Sequence, residues 1–155
     1  MADATIDGLR EVLEESLGEL RKGVAGRSVE QLNAQPAGGD TNSVAVIVTH
    51  ALGSTRSWLS LAMGAPMPDR DRPAEFRAVA DDGFAAWTDS GIAECLALLD
   101  DATWDPARVG VANWTQSQET RTAAYAASHA LSHLGEHVGH LHMTLELLRD
   151  DAYGL

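Results

Sequence analysis

The chain has 155 residues and a formal charge of −12, from 23 acidic and 11 basic side chains, with six histidines and one cysteine. This length reads as a single domain spanning residues 1–155, and such a chain can bury roughly 68–70% of its unfolded surface without a disulfide or metal staple. The lone Cys95 excludes an internal disulfide and a Cys-based zinc site, and the negative charge argues against nucleic acid and anionic lipid as partners.

No apolar run approaches the ~20 residues of a membrane span. The opening Met-Ala-Asp-Ala-Thr-Ile-Asp lacks the basic and apolar regions of a signal peptide, so a soluble cytoplasmic protein is expected. From Thr5 to Val24, the residues Ile6, Leu9, Leu13, Leu17, Leu20 and Val24 recur at the spacing of an amphipathic helix, which Gly23 and Gly26 end. A polar connection with Pro36, Gly38, Gly39 and Asp40 follows. Thr41 or Asn42 can cap a second helix over about Ser43 to Met63, with Gly64, Pro66 and Pro68 stopping it. Asp69 to Thr88, containing Pro73, Phe84 and Trp87, reads as a long crossover. Asp89 or Ser90 can cap a shorter third helix through Leu99 to Ala102. Thr103 to Ser117 has little periodicity, and strand signals are weak: only Arg108-Val109-Gly110-Val111 alternates, and it is short. The last helix is expected from Glu119 or Thr120 to Arg149, followed by a loose tail, 150–155. Four helices, three of them long, imply an all-α four-helix bundle with a crossover between helices 2 and 3.

Five histidines lie between His129 and His142 on the last helix. At ~100° per residue, His133 and His137 are about 40° apart, His129 and His140 share their ~80° arc, and His142 points nearly the opposite way. An i, i+4 histidine pair projects two imidazoles from one face, one turn apart, where they can converge on one ion. A third ligand must come from elsewhere. The remaining histidine, His50, sits on the second helix at the edge of its apolar face, near Ile47, Ser54 and Leu61. The stripe is flanked by Leu134, Val138, Leu141, Leu145 and Leu148 and so borders the core. Imidazoles there are costly without partners, and a metal supplies them.

The string His133-Leu-Gly-Glu-His137-Val-Gly139-His140, with Ser43-Val-Ala-Val-Ile-Val-Thr-His50 upstream and Trp58 two turns later, resembles the DinB-like metalloenzyme bundles. The resemblance implies an up-down-down-up bundle, often dimeric, with a divalent metal held by His50, His133 and His137. Zinc is the first choice, then nickel, iron or manganese. Some relatives, including thiol-dependent maleylpyruvate isomerases, have Glu where this chain has His133. Characterised relatives use a low-molecular-weight thiol, mycothiol or bacillithiol. The Arg-rich, Lys-poor composition suits a high-GC genome and hence mycothiol.

The leading expectation is a metal-dependent enzyme on a small molecule, a thiol-dependent S-transferase or related hydrolase, acting as a homodimer. The alternative is a non-catalytic metal-binding or stress-response bundle. A di-metal carboxylate bundle would need Glu-x-x-His motifs, which Glu136 beside His137 does not provide. His129, His140 and Glu136 are candidate catalytic or proton-relay groups. Trp58, Trp104, Trp114 and Tyr125 could wall a pocket, and Arg56 could hold an anionic group. Cys95, among Ala93, Leu96, Leu98 and Leu99, reads as a small buried apolar residue.

Overall fold

Asp3 accepts a hydrogen bond from the Thr5 amide and opens α1, Ala4–Val24, whose buried Ile6, Leu9, Leu13, Leu17 and Leu20 form the anticipated stripe. The computed structural model describes residues 3–36, 41–100, 102–114 and 118–150. The connection after α1 contains a short helix, α2, Val29–Asn33, started by a capping box between Ser28 and Gln31. Gly38, Gly39 and Asp40 lie outside the described residues.

The second long helix, α3, spans Val44–Met63; its cap is Ser43, accepting from the Val46 amide, rather than Thr41 or Asn42. Seventeen of its residues are buried, so it is a helix covered on nearly all sides rather than a one-faced one. Gly64 ends it in the left-handed conformation, φ 68°, which a side chain would resist. The crossover is not featureless. Asp71 accepts from the Ala74 amide and starts α4, Arg72–Glu75, with Pro73 in its first turn. Asn33 fastens the crossover to α2 by bonding both the amide and the carbonyl of Ala80.

The third long helix, α5, runs Phe84–Ala97, so it starts five residues before Asp89, takes in Phe84 and Trp87, and stops short of Leu99. Gly83 precedes it without a side-chain cap. The larger departure is a hairpin: β1, Val109–Ala112, pairs antiparallel with β2, Glu119–Thr122, in the register Val109 opposite Thr122. Residues 119–122, expected as the first turn of the last helix, are strand. Their β-branched threonines alternate and suit a pleat. α6 therefore begins at Ala123 and runs to Asp150, with Thr122 accepting from the Tyr125 amide. The expected loose tail otherwise lies outside the described residues.

Arg10 meets Asp100 at 2.8 Å and Arg21 meets Asp89 at 2.6 Å, so α1 and α5 run antiparallel. Cys95 lies over the Leu52 carbonyl and Arg56 reaches Glu94 at 2.6 Å, so α5 packs alongside α3. His50 faces His133 and His137, whereas Trp58 faces Tyr125 and His129, so α3 and α6 are antiparallel. The order is up-down-down-up, with α1 and α3 both bordering α5 and α6. Leu13, Leu17, Leu20, Leu59, Leu134, Leu141 and Leu148 fill the centre without exposure. The small faces Ala123, Ala126, Ala127 and Ala130 let α6 lie close on α3, which brings the histidines of the two helices within reach.

Candidate metal centre

His50 is 4% exposed, in the first half of the largely buried helix α3. A polar group buried so deeply needs a partner. It has Glu75, whose Oε2 lies 2.8 Å from His50 Nδ1. The same carboxylate accepts from Arg70, through Nε at 2.7 Å and the terminal amino group at 2.9 Å. Burial pushes the Glu75 carboxyl up, but the hydrogen bonds from His50 and Arg70 outweigh it and hold the group below its ordinary value, hence ionised. An ionised carboxylate only accepts, so the proton of this bond sits on Nδ1, and in the neutral ring Nε2 then carries the lone pair.

His133 and His137 project from α6 toward that ring, with centroids 5.4 and 4.8 Å from it. Their own Nε2 atoms are 3.4 Å apart. Zinc–nitrogen bonds of ~2.0–2.1 Å in a tetrahedron place two ligand nitrogens ~3.3 Å apart. One nitrogen from each of the three residues lies within 4.8 Å of the others. This donor set fits a divalent ion, and among the described residues no fourth His, Cys, Asp or Glu joins it. Burial, then the charge of neighbouring imidazoles, pushes His133 down to about 4 and His137 down to about 3. Both are neutral at physiological pH, the form in which imidazole ligates. Unlike His50, neither has a hydrogen-bond partner for its buried Nδ1 among the described residues.

The rest of the stripe continues to one side. His129 stacks on His133 at 5.6 Å and on Tyr125 at 5.7 Å, and lies 4.3 Å from Trp58. Trp114, carried by the hairpin turn, meets Trp58 edge-on at 4.9 Å. Trp58, Trp114 and Tyr125 thus form one aromatic wall beside the cluster, and half-exposed Tyr125 lies at its rim under Arg121. Trp104 packs against the core instead. His140 is exposed, its ring 5.4 Å from that of His137. Glu136 is exposed and only weakly opposes the fall in the His133 value. His142 faces away and bonds Glu19 of α1 at 3.0 Å.

Arg56 is not brought to the histidines. It pairs with Glu94 across the α3–α5 surface and lines a separate cavity of about 420 Å³ with Arg70, Glu75, Trp87 and Ser90. No histidine lines that cavity; Glu75 and Arg70 stand between it and the cluster. Cys95 is buried, its thiol pushed up to about 12 by burial, which removes it as a nucleophile. Sequence reasoning missed Glu75, Arg70 and Phe76, whose ring lies 4.7 Å from that of His50. The available signal was Gly53, a glycine inside an otherwise apolar helix, where an added Cβ would collide with the Glu75 carboxylate.

Fold and site together define an all-α bundle in which two long helices bring together three histidines able to hold a metal ion. The chain belongs to the DinB superfamily, whose family model matches residues 10–141. It is similar to the crystal structure of a conserved protein from Enterococcus faecalis, at 18% identity and TM-score 0.70, over 97% of this chain and 100% of that one. At that identity the likeness carries the fold alone. No curated protein matches the chain.

Proposed function

We propose that this protein is a divalent-metal-dependent enzyme acting on a small molecule, with the ion held by His50, His133 and His137. The observation that carries the reading is the convergence of three imidazoles without a fourth protein donor among the described residues. Three protein ligands leave one position open, the arrangement of catalytic rather than structural zinc sites. An all-imidazole set suits zinc first, with nickel, iron or manganese as alternatives. A bound divalent ion supplies Lewis acidity, favouring the thiolate of a thiol, lowering the pKa of water or polarising a carbonyl.

The chain's own residues take the remaining roles. Buried, neutral His133 and His137 present lone pairs rather than competing protons. The wall of Trp58, Trp114 and Tyr125 receives the apolar part of a substrate. His129, between that wall and His133, is placed to accept or return a proton, and exposed His140 and Glu136 connect the stripe to bulk water. The reaction we favour is S-transfer with a low-molecular-weight thiol, mycothiol or bacillithiol, or a related hydrolysis; its support is the resemblance of the histidine string to thiol-using relatives. The proposal includes a cytoplasmic homodimer. No described helix is long and apolar enough to cross a membrane.

Metal analysis of the purified protein tests the reading first. The expected result is one divalent ion per chain, absent from His133→Ala, together with metal-dependent consumption of thiol and electrophile. Protein without stoichiometric metal, or His133→Ala with unchanged metal content, overturns it. Metal that can be removed only with global unfolding, and that supports no turnover, favours a structural ion instead.

A further inference from the structure

We propose that Glu75 is a positioning residue for the histidine cluster: clamped by Arg70 and seated against Gly53, its carboxylate fixes His50 with the proton on Nδ1 and Nε2 free for an ion. This rests on the metal reading above and deepens it. The Arg70–Glu75 pair closes within the crossover, its guanidinium engaging both carboxylate oxygens at 2.7 and 2.9 Å, so it fixes the carboxylate without itself tying it to α3. Glu75 does more, placing Oε2 at 2.8 Å from His50 Nδ1 with both side chains under 10% exposed. Helix α4 delivers Glu75 and Phe76 together, so His50 is held in its ring plane by the carboxylate and on a ring face by Phe76 at 4.7 Å.

The seat is built as well. Gly53, one turn after His50, has no side chain where the carboxylate lies; a Cβ there would stand 3.1 Å from Glu75 Cδ and 3.5 Å from Arg70 Nε. His133 and His137 lack any comparable partner among the described residues, since their Nδ1 atoms are buried and unbonded. Of the three rings, His50 is therefore the one whose tautomer and orientation the protein itself dictates. A carboxylate behind a ligating imidazole raises its basicity, and removing such a partner weakens metal affinity by roughly 10–100-fold.

The test uses the full chain at pH 8 and zinc as the probe. Nitrogen-15 NMR of the metal-free protein is expected to show His50 protonated on Nδ1 and not on Nε2. Competition titration is expected to show zinc binding weakened roughly 10–100-fold in Glu75→Ala, and by less in Glu75→Gln, whose amide oxygen can still accept from Nδ1. Near-isosteric Glu75→Gln keeps the test available if Glu75→Ala fails to fold. A wild-type His50 protonated on Nε2 overturns the proposal, as does unchanged zinc affinity in folded variants. Should the wild type bind no zinc, the metal reading fails, while the His50 tautomer still decides the role of Glu75.

Discussion

Replacing Gly53 by alanine sets two effects of opposite sign against each other. Inside an exposed helix the change would stabilise by about 1 kcal/mol, because alanine loses less backbone freedom on folding. At Gly53 the new Cβ would lie 3.1 Å from Glu75 Cδ and under 3.0 Å from Oε1, where ordinary contact begins near 3.4 Å. The carboxylate cannot swing aside freely, because His50 and Arg70 hold it by bonds of 2.8, 2.7 and 2.9 Å. Overpacking costs about 1–3 kcal/mol, and weakening one hydrogen bond to a charged group adds roughly 1.5–3 kcal/mol. The collision outweighs the propensity gain, leaving a net loss of about 1.5–5 kcal/mol, a fall in Tm of roughly 3–20 °C for a domain of this size. Gly18, in mid α1 with nothing within 4 Å of an added Cβ, is the control, and Gly18→Ala is expected to raise Tm. Thermal denaturation followed by circular dichroism measures both. If Gly53→Ala raises Tm as Gly18→Ala does, the carboxylate is not locked against α3 and the reasoning fails.

Two further outcomes follow from the titrating groups. His133 and His137 titrate near 4 and 3 when folded, against 6.5 for a free imidazole. Between those values the unfolded chain binds more protons, so this contribution to stability is complete above about pH 6.5 and is lost as pH falls toward 3. Urea midpoints of EDTA-treated protein should therefore drop between pH 7 and pH 5, and less so in a His133→Ala/His137→Ala double variant; equal slopes would refute the burial argument. Cys95, buried with its thiol pushed up to about 12, should resist an aromatic disulfide reagent at pH 8 until urea opens the fold. Rapid stoichiometric labelling of native protein would contradict its placement.

The legible parts of the fold were those fixed by local periodicity. The stripe of α1 and the i, i+4 relation of His133 and His137 depend only on helical geometry. Boundaries were less legible where neighbouring tendencies compete. Glu119-Thr-Arg-Thr122 runs straight into a helix and could have joined it; pairing with Val109–Ala112, a partner chosen by tertiary proximity, makes it strand. Phe84 and Trp87 looked like crossover residues because Gly83 offers no side-chain cap to announce α5. The short helices α2 and α4 carried clear caps in Ser28 with Gln31 and in Asp71 with Pro73, but a single turn has too few apolar positions to show a period.

The site divides along the same line. Two of its three histidines are neighbours on one helix and the third is the remaining histidine on a helix that must pack nearby, so the candidate set could be composed from periodicity and a short motif. The support of the site could not. Glu75 reaches His50 across 25 residues, through a crossover whose course is set by Asp71, Pro73 and the Asn33 clasp rather than by repetition. Arg56, the cation that the sequence offered, turned to Glu94 because α3 and α5 run side by side there, while Arg70 supplied the buried cation. What marks the hidden part is an absence of side chain. Gly53 interrupts an apolar helix at a cost of about 1 kcal/mol relative to alanine, and the atom that occupies its space is the oxygen that binds Arg70. A glycine in a buried helix one turn from a candidate ligand therefore points to a close approach by the group that orients that ligand.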